Sequence, residues 1–286
     1  VQASPPPAVN DVSWWTVSGG TLTIDSTHVL NAATDAPGNV WPWASQASTI
    51  KQVIIQPNTR AVGSLKSLFN GLDQVTTIQG LDTLDTSQVT NMSQMFFACR
   101  ALNNVDVSAL DTRQVTDMSL MFEYCDSLTN LKLGGKFDTS HVKTMYAMFI
   151  GCPFTSFDAT QLNTSNVQSM GLMFENCNGL TTLDLSSFDT SKVTNMNGMF
   201  LGCSKLTTLN ISTFKTGLVT DMSMMFYNCP ALTKLDVRNF DTHSVNSMSY
   251  MFASCGSLTS LDLSHFDTSA VSDMSYMFQN SNHLTA

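Results

Sequence analysis

Residues 183 to 208 read LDLSSFDTSKVTNMNGMFLGCSKLTT, and residues 209 to 234 restate the phrase as LNISTFKTGLVTDMSMMFYNCPALTK. The Met-Phe pair inside it recurs at Met95-Phe96, Met121-Phe122, Met148-Phe149, Met173-Phe174, Met199-Phe200, Met225-Phe226, Met251-Phe252 and Met277-Phe278. The spacings are 26, 27, 25, 26, 26, 26 and 26 residues. A fixed period in this range defines a solenoid, whose units bury their apolar side only by stacking on one another. A degenerate first coil begins near Leu65, with Leu68-Phe69 standing for Met-Phe and Leu72 for the cysteine that follows it elsewhere.

Two periods alternate within each copy. In Thr182-Leu183-Asp184-Leu185-Ser186 apolar and polar residues alternate, as in a half-buried strand. Val193, Met196, Met199, Phe200, Cys203 and Leu206 are spaced by three and four, the period of a helical turn. Each coil is therefore predicted to be a short strand, a corner and a short helical or 3-10 return. Like strands of successive coils stack as one parallel sheet. The polar residue before the first Met, such as Asp117, Asn195 or Asp221, is placed to cap the return through its side-chain oxygen.

The seven cysteines, Cys99, Cys125, Cys152, Cys177, Cys203, Cys229 and Cys255, each lie three residues after the Phe of the pair. An odd count at the repeat spacing identifies them as small buried groups of the coil, not as a disulfide framework. Ser281 holds the position in the last copy.

Composition sets the outer bounds. Hydrophobic content of 43% with only 12% charged residues describes a folded chain with a largely uncharged polar surface. A net charge of -9 excludes a phosphate-binding stripe, so no nucleic-acid partner is expected. No apolar run is long enough for membrane insertion. Residues 1–10, with Pro5, Pro6 and Pro7, read as a flexible leader, and Val1 and Ala3 suit the small-residue box of an export cleavage site. Residues 11–64 fall outside the repeat and read as a β-rich N-terminal cap, with a hairpin around Gly19-Gly20 and a strand at KQVIIQ. All four tryptophans, Trp14, Trp15, Trp41 and Trp43, lie there, placed to cover the apolar end of the first coil or to form an aromatic platform for sugar rings. Residues 65–286 are the array, and because they stop part-way through a coil, continuation into a longer polypeptide is expected; an open end would invite self-association.

The segment Cys177-x-x-Leu180-x-x-Leu183-x-Leu185 resembles a leucine-rich-repeat strand, and FDTSxVxxMxxMFxxCxxL resembles the BspA-like leucine-rich-repeat surface proteins of Gram-positive bacteria. The cap, with its tryptophans, GTLTI and IKQVII, is similar to that family's leader. The resemblance implies an α/β solenoid, a right-handed leucine-rich-repeat array. It also implies an extracellular, wall- or surface-attached adhesion module that binds host matrix proteins, mucus glycoproteins or other cells. One departure is that Phe188, Phe214, Phe240 and Phe266 occupy the usual Asn position. Satisfying the corner backbone then falls to the threonine present in every copy, Thr86 through Thr268. An extra residue near Gly134-Gly135 and one fewer at Cys152-Pro153-Phe154 are expected to bend the stack locally.

For binding, the outward strand column reads Asp106, Lys132, Asp158, Asp184, Asn210, Asp236 and Asp262. Stacked carboxylates repel, so raised, coupled pKa values are expected, with neutralisation near about pH 4 to 5 strengthening association. Lys234, Asp236 and Arg238 put two cations around one carboxylate and form the most distinctive patch on that face. Catalysis has no candidate: the five histidines share no column and no nucleophile, metal or cofactor motif appears. The function read from the sequence is non-enzymatic, multivalent recognition through the sheet face without a cofactor. A carbohydrate-binding module and a passive spacer are the alternatives.

Overall fold

The computed structural model describes residues 13–285; the leader predicted at 1–10 lies outside them. The strands in chain order are β1 (Trp15–Ser18), β2 (Thr21–Ile24), β3 (Val29–Leu30), β4 (Gln52–Ile55), β5 (Arg60–Ser64), β6 (Thr77–Gln79), β7 (Asp85–Asn91), β8 (Asn104–Asp106), β9 (Asn130–Lys132), β10 (Thr182–Asp184) and β11 (Thr208–Asn210). The hairpin β1–β2 turns at Gly19-Gly20, both with positive φ, as the dipeptide predicts. From β2 onward every strand pairing is parallel, in β2–β4–β6 on one side and β3–β5–β7 on another. The N-terminal region is thus wound in the same sense of stacking as the repeats. The fold is a leucine-rich-repeat solenoid.

The ladder β3–β5–β7 does not stop at the repeats. It continues as single parallel bridges from Asn91 through Asp117, Thr144, Ser169, Asn195, Asp221 and Ser247 to Asp273. Beyond each bridge, every second amide of the Met-Phe segment donates to the next coil. Met92, Gln94, Phe96 and Ala98 bond to the carbonyls of Asp117, Ser119, Met121 and Glu123, and the same four bonds recur at each junction to the end of the array. The intervening amides close i→i+3 turns, as from Met95 to Met92 and from Cys99 to Phe96. The return therefore keeps the 3-10 hydrogen bond but forms no continuous helix. The reason lies in two left-handed columns, one immediately before Met-Phe (Gln94, Leu120, Ala147, Leu172) and one two residues after it (Ala98, Tyr124, Gly151, Asn176), with φ between 54° and 73°. A left-handed residue every fourth position ends each turn and re-aims the chain at its neighbour.

The columns fill the core as the period requires. The Met, Met, Phe and Cys positions of the first seven copies are 0% exposed, and successive Phe rings from Phe96 to Phe278 stack with centroids 5.2–6.2 Å apart. Each thiol donates to the Phe carbonyl of the preceding coil, Cys125 to Phe96 at 3.1 Å and Cys203 to Phe174 at 3.1 Å, and Ser281 makes the same bond to Phe252 at 2.6 Å. All seven cysteines are free and buried, and desolvation raises their pKa, to about 12 at Cys125 and about 11 at Cys255.

The column threonines satisfy the corner backbone, as expected. Thr190 Oγ1 donates to the carbonyl of Lys215 at 2.9 Å and accepts from its amide at 2.7 Å. Thr164, Thr216 and Thr242 make the same two bonds to Asp189, Asp241 and Asp267. These hydroxyls are almost fully buried yet fully used. Asn91, Asp117, Asn195 and Asp221 accept from the amide two residues on and so cap the turn, as expected.

The tryptophans close the first coil. Trp41 and Trp43 are 2% and 1% exposed and stack on each other at 5.2 Å. Their indole N–H groups donate to the carbonyls of Lys66 at 2.9 Å and Leu68 at 3.2 Å. One coil later the corresponding carbonyls, of Ser93 and Met95, receive backbone amides from Ser67 and Phe69. The two indoles thus stand in for the amides of a missing coil, and their rings are unavailable as a sugar platform. Trp14 is half-buried, with one face covered by His28 at 4.0 Å.

The strand side is parallel but comes in pieces, β8–β9 and β10–β11, instead of one unbroken sheet. Val107 donates to Lys132 and Leu185 to Asn210, whereas their column mates Leu133, Ile211 and Val237 have no backbone partner in the next coil. The first break falls at the sequence irregularities. Gly135 lies so close to the Ser108 carbonyl that a Cβ would sit 2.4 Å from it, and Gly179 lies as close to the Phe154 carbonyl, at 2.3 Å. A cleft of about 540 Å³ opens between the Cys125 and Cys152 coils.

Candidate binding face

The outward strand column is exposed at Asp106, Lys132, Asp158, Asp184, Asp236 and Asp262 and half-buried at Asn210, so the face predicted to bind is presented to solvent. The expectation of raised carboxylate pKa values on it is overturned. Each Asp is folded into its own turn and accepts from the residue two positions on. Asp184 accepts from the Ser186 amide at 2.9 Å, and Asp158 and Asp262 accept from amide and hydroxyl of Thr160 and Ser264. Hydrogen bonds to the ionised form outweigh repulsion across a water-exposed column. Asp158, Asp184 and Asp262 are accordingly held below the usual carboxylate range by these bonds. Asp106 is lowered to about 2 by Ser108 and then Lys132, and Asp236 to about 2 by Arg238. Neutralisation at pH 4 to 5 therefore supplies no switch.

Neighbouring coils are tied across this face. Lys132 Nζ reaches Asp106 at 2.9 Å, Asn130 reaches Asn104 at 2.7 Å, and Asn210 reaches Asp184 at 2.9 Å. Of the predicted cationic patch, Arg238 grips Asp236 through two bonds at 2.9 and 2.7 Å, while Lys234 makes no ion pair among the described residues. Lys234, Asp236 and Arg238 line a second cleft of about 520 Å³, opposite Thr207–Leu209. The structure thus brings the seven candidate residues onto one side but divides them between two clefts, Lys132 and Asp158 at the first, Asp236, Arg238, Lys234 and Asp262 at the second. Asp184 stands between them on β10.

One group went unread. Glu123 is 6% exposed with no partner for Oε2, and desolvation, then Glu175, raise its pKa to about 7. Glu175 is raised by desolvation too. The signal was there: both acids fall in a column that is otherwise Phe97, Ile150, Leu201, Tyr227, Ala253 and Gln279.

The family model described as "Mycoplasma protein of unknown function, DUF285" matches residues 41–158, 129–209 and 202–286. The chain belongs to this family. The DUF285 match begins at Trp41, the ring that closes the first coil, and its three segments overlap within the array. No curated protein matches the chain. Among solved structures it is similar to a leucine-rich repeat protein from Eubacterium ventriosum, at 16% identity over 93% of this chain and 91% of that one, TM-score 0.28. It is also similar to the leucine-rich repeat protein of T. pallidum, at 15% over 85% and 86%, TM-score 0.32. A third is from Bacteroides ovatus, at 14% over 96% and 85%, TM-score 0.26.

Proposed function

We propose that this DUF285 chain is a non-enzymatic protein-binding module of the BspA-like kind, displayed at a cell surface and adhering through its strand side. The observation supporting this reading is the strand column itself. Its charged side chains are solvent-exposed yet each is fixed by a turn or a cross-coil bond, so the face offers pre-ordered polar groups at one-coil intervals. Ordering them in advance lowers the entropy lost on binding, and repetition along a rod makes binding multivalent. Matrix proteins, mucus glycoproteins and other cells are the proposed partners. The burial of Trp41 and Trp43 moves weight away from sugar recognition by the cap.

The test is a binding screen of the chain against immobilised matrix proteins and mucin, repeated with Lys234→Glu and Arg238→Glu. Saturable binding of at least one target, weakened by either charge reversal, supports the reading. An inert surface across the whole screen overturns it in favour of a spacer.

A further inference from the structure

The backbone at the first cleft is an unfinished sheet. β9 uses one edge for β8, through the Asn130 amide to Asn103 and the Lys132 carbonyl from Val107. In a parallel ladder successive residues aim their N–H and C=O to opposite sides, so the groups of Leu131 and Leu133 face the Cys152 coil. No backbone bond crosses from Thr129–Leu133 to Thr155–Ala159. An open strand edge of this kind is a template for another strand. The cleft beside it, about 540 Å³, falls within the range of about 300–1,000 Å³ typical of ligand sites. Its floor is apolar, with Leu131 and Phe157 partly buried against the core. On its rim Lys132 is neutralised by Asp106, and Asp158 has only the neutral donors of Thr160 and Gln161, so one negative charge remains.

We propose that this cleft takes up an extended peptide segment by strand addition along β9, its apolar side chains turned inward beside Leu131 and Phe157 and a basic side chain turned outward beside Asp158. The proposal rests on the strand side being a protein-binding face and narrows it to one place and one chemistry. The second cleft sets Lys234 and Arg238 against Asp236 and Asp262, so it offers the same basic peptide no net negative charge.

The probe is the blocked hexapeptide TTLKLS, patterned on residues 181 to 186 with Lys in place of the outward Asp. Its binding is followed by amide hydrogen exchange of the whole chain. The expected result is saturable binding that slows exchange at Leu131 and Leu133 by about tenfold or more. N-methylation of the peptide's leucine amides should abolish it, and Asp158→Asn, which keeps the turn, should weaken it about 2–5-fold. Binding that leaves both amides unprotected, binding indifferent to N-methylation, or no binding at about 1 mM peptide would overturn the proposal. Ser156→Trp, which fills the cleft from its exposed rim, separates the two readings. A matrix or mucin target that still binds this variant refutes strand addition and leaves the protein-binding face standing, whereas loss of every target in the unmodified chain refutes that face.

Discussion

The Cys125 thiol donates to the Phe96 carbonyl of the coil before it at 3.1 Å, and that carbonyl also receives the Cys99 amide at 3.2 Å. The thiol is therefore a buried hydrogen-bond donor that joins coils, and Ser281, bonded to the equivalent carbonyl of Phe252, shows that a hydroxyl serves the same purpose. Replacing Cys203 by Ala should cost about 1–2 kcal/mol, from the lost bond and the small cavity together. Cys203→Ser should keep the bond and cost less. Urea melts of both variants check this, and thiol-reactive dye should label none of the seven cysteines until the chain unfolds.

Thr190 links two coils with one hydroxyl. Thr190→Val preserves shape but leaves the Lys215 amide and carbonyl without their partner, for an expected loss of about 2–3 kcal/mol. Thr190→Ser should recover most of it, as read by the same melts.

Trp43→Phe retains an aromatic ring against Trp41 but removes the donor to Leu68. The expected cost is about 1–2 kcal/mol, with the larger effect in Trp41→Phe/Trp43→Phe together. Because all four tryptophans sit in the first turns of the stack, their fluorescence reports the melting of that end.

Glu123 gives the pH dependence. Its folded pKa, about 7, is above the ordinary 4.5, so the folded chain binds the proton more tightly than the unfolded one. Stability should therefore fall as pH rises from about 4.5 to about 7 and level off above, where Glu123 is ionised in both states. Glu123→Gln should remove most of that decline and gain on the order of 1–2 kcal/mol at pH 8 over the parent. Chemical melts at pH 5 and pH 8 give the sign, with Glu175 supplying a residual slope.

The exposed aspartates act in the opposite direction. Asp106 and Asp236, held near about 2, contribute stability that is complete above the unfolded value of 3.8 and is lost as pH falls through about 2. Carboxyl carbon NMR should find both still ionised at pH 3.

The period of the Met-Phe pair was enough to place Met, Phe, Cys and Thr in the interior, because a column in a stack gives every member one environment. The Thr190 role was legible for the same reason. What could not be read was backbone conformation, since Leu120 and Leu172 adopt left-handed φ without glycine's signature, and this breaks the expected helical or 3-10 return into single turns with 3-10 hydrogen bonds. The site was legible only as a column. Asp184 looks like one repelling charge among many until Ser186 is seen to complete its turn, a bond two residues away that overrides a neighbour one coil away. The first cleft lies between the close approaches of Gly135 to Ser108 and of Gly179 to Phe154, which show only in three dimensions.

Amide hydrogen exchange across the array tests the central claim, that coils are bonded without interruption along the Met-Phe side and only in places along the strand side. The account predicts slow exchange at Phe96, Phe122, Phe149, Phe174, Phe200, Phe226 and Phe252 alike, all donors to the next coil. It predicts a split in the strand column, with Val107 and Leu185 slow and Leu133, Ile211 and Val237 fast. Uniform protection through that strand column, or rapid exchange along the Phe column, would contradict it.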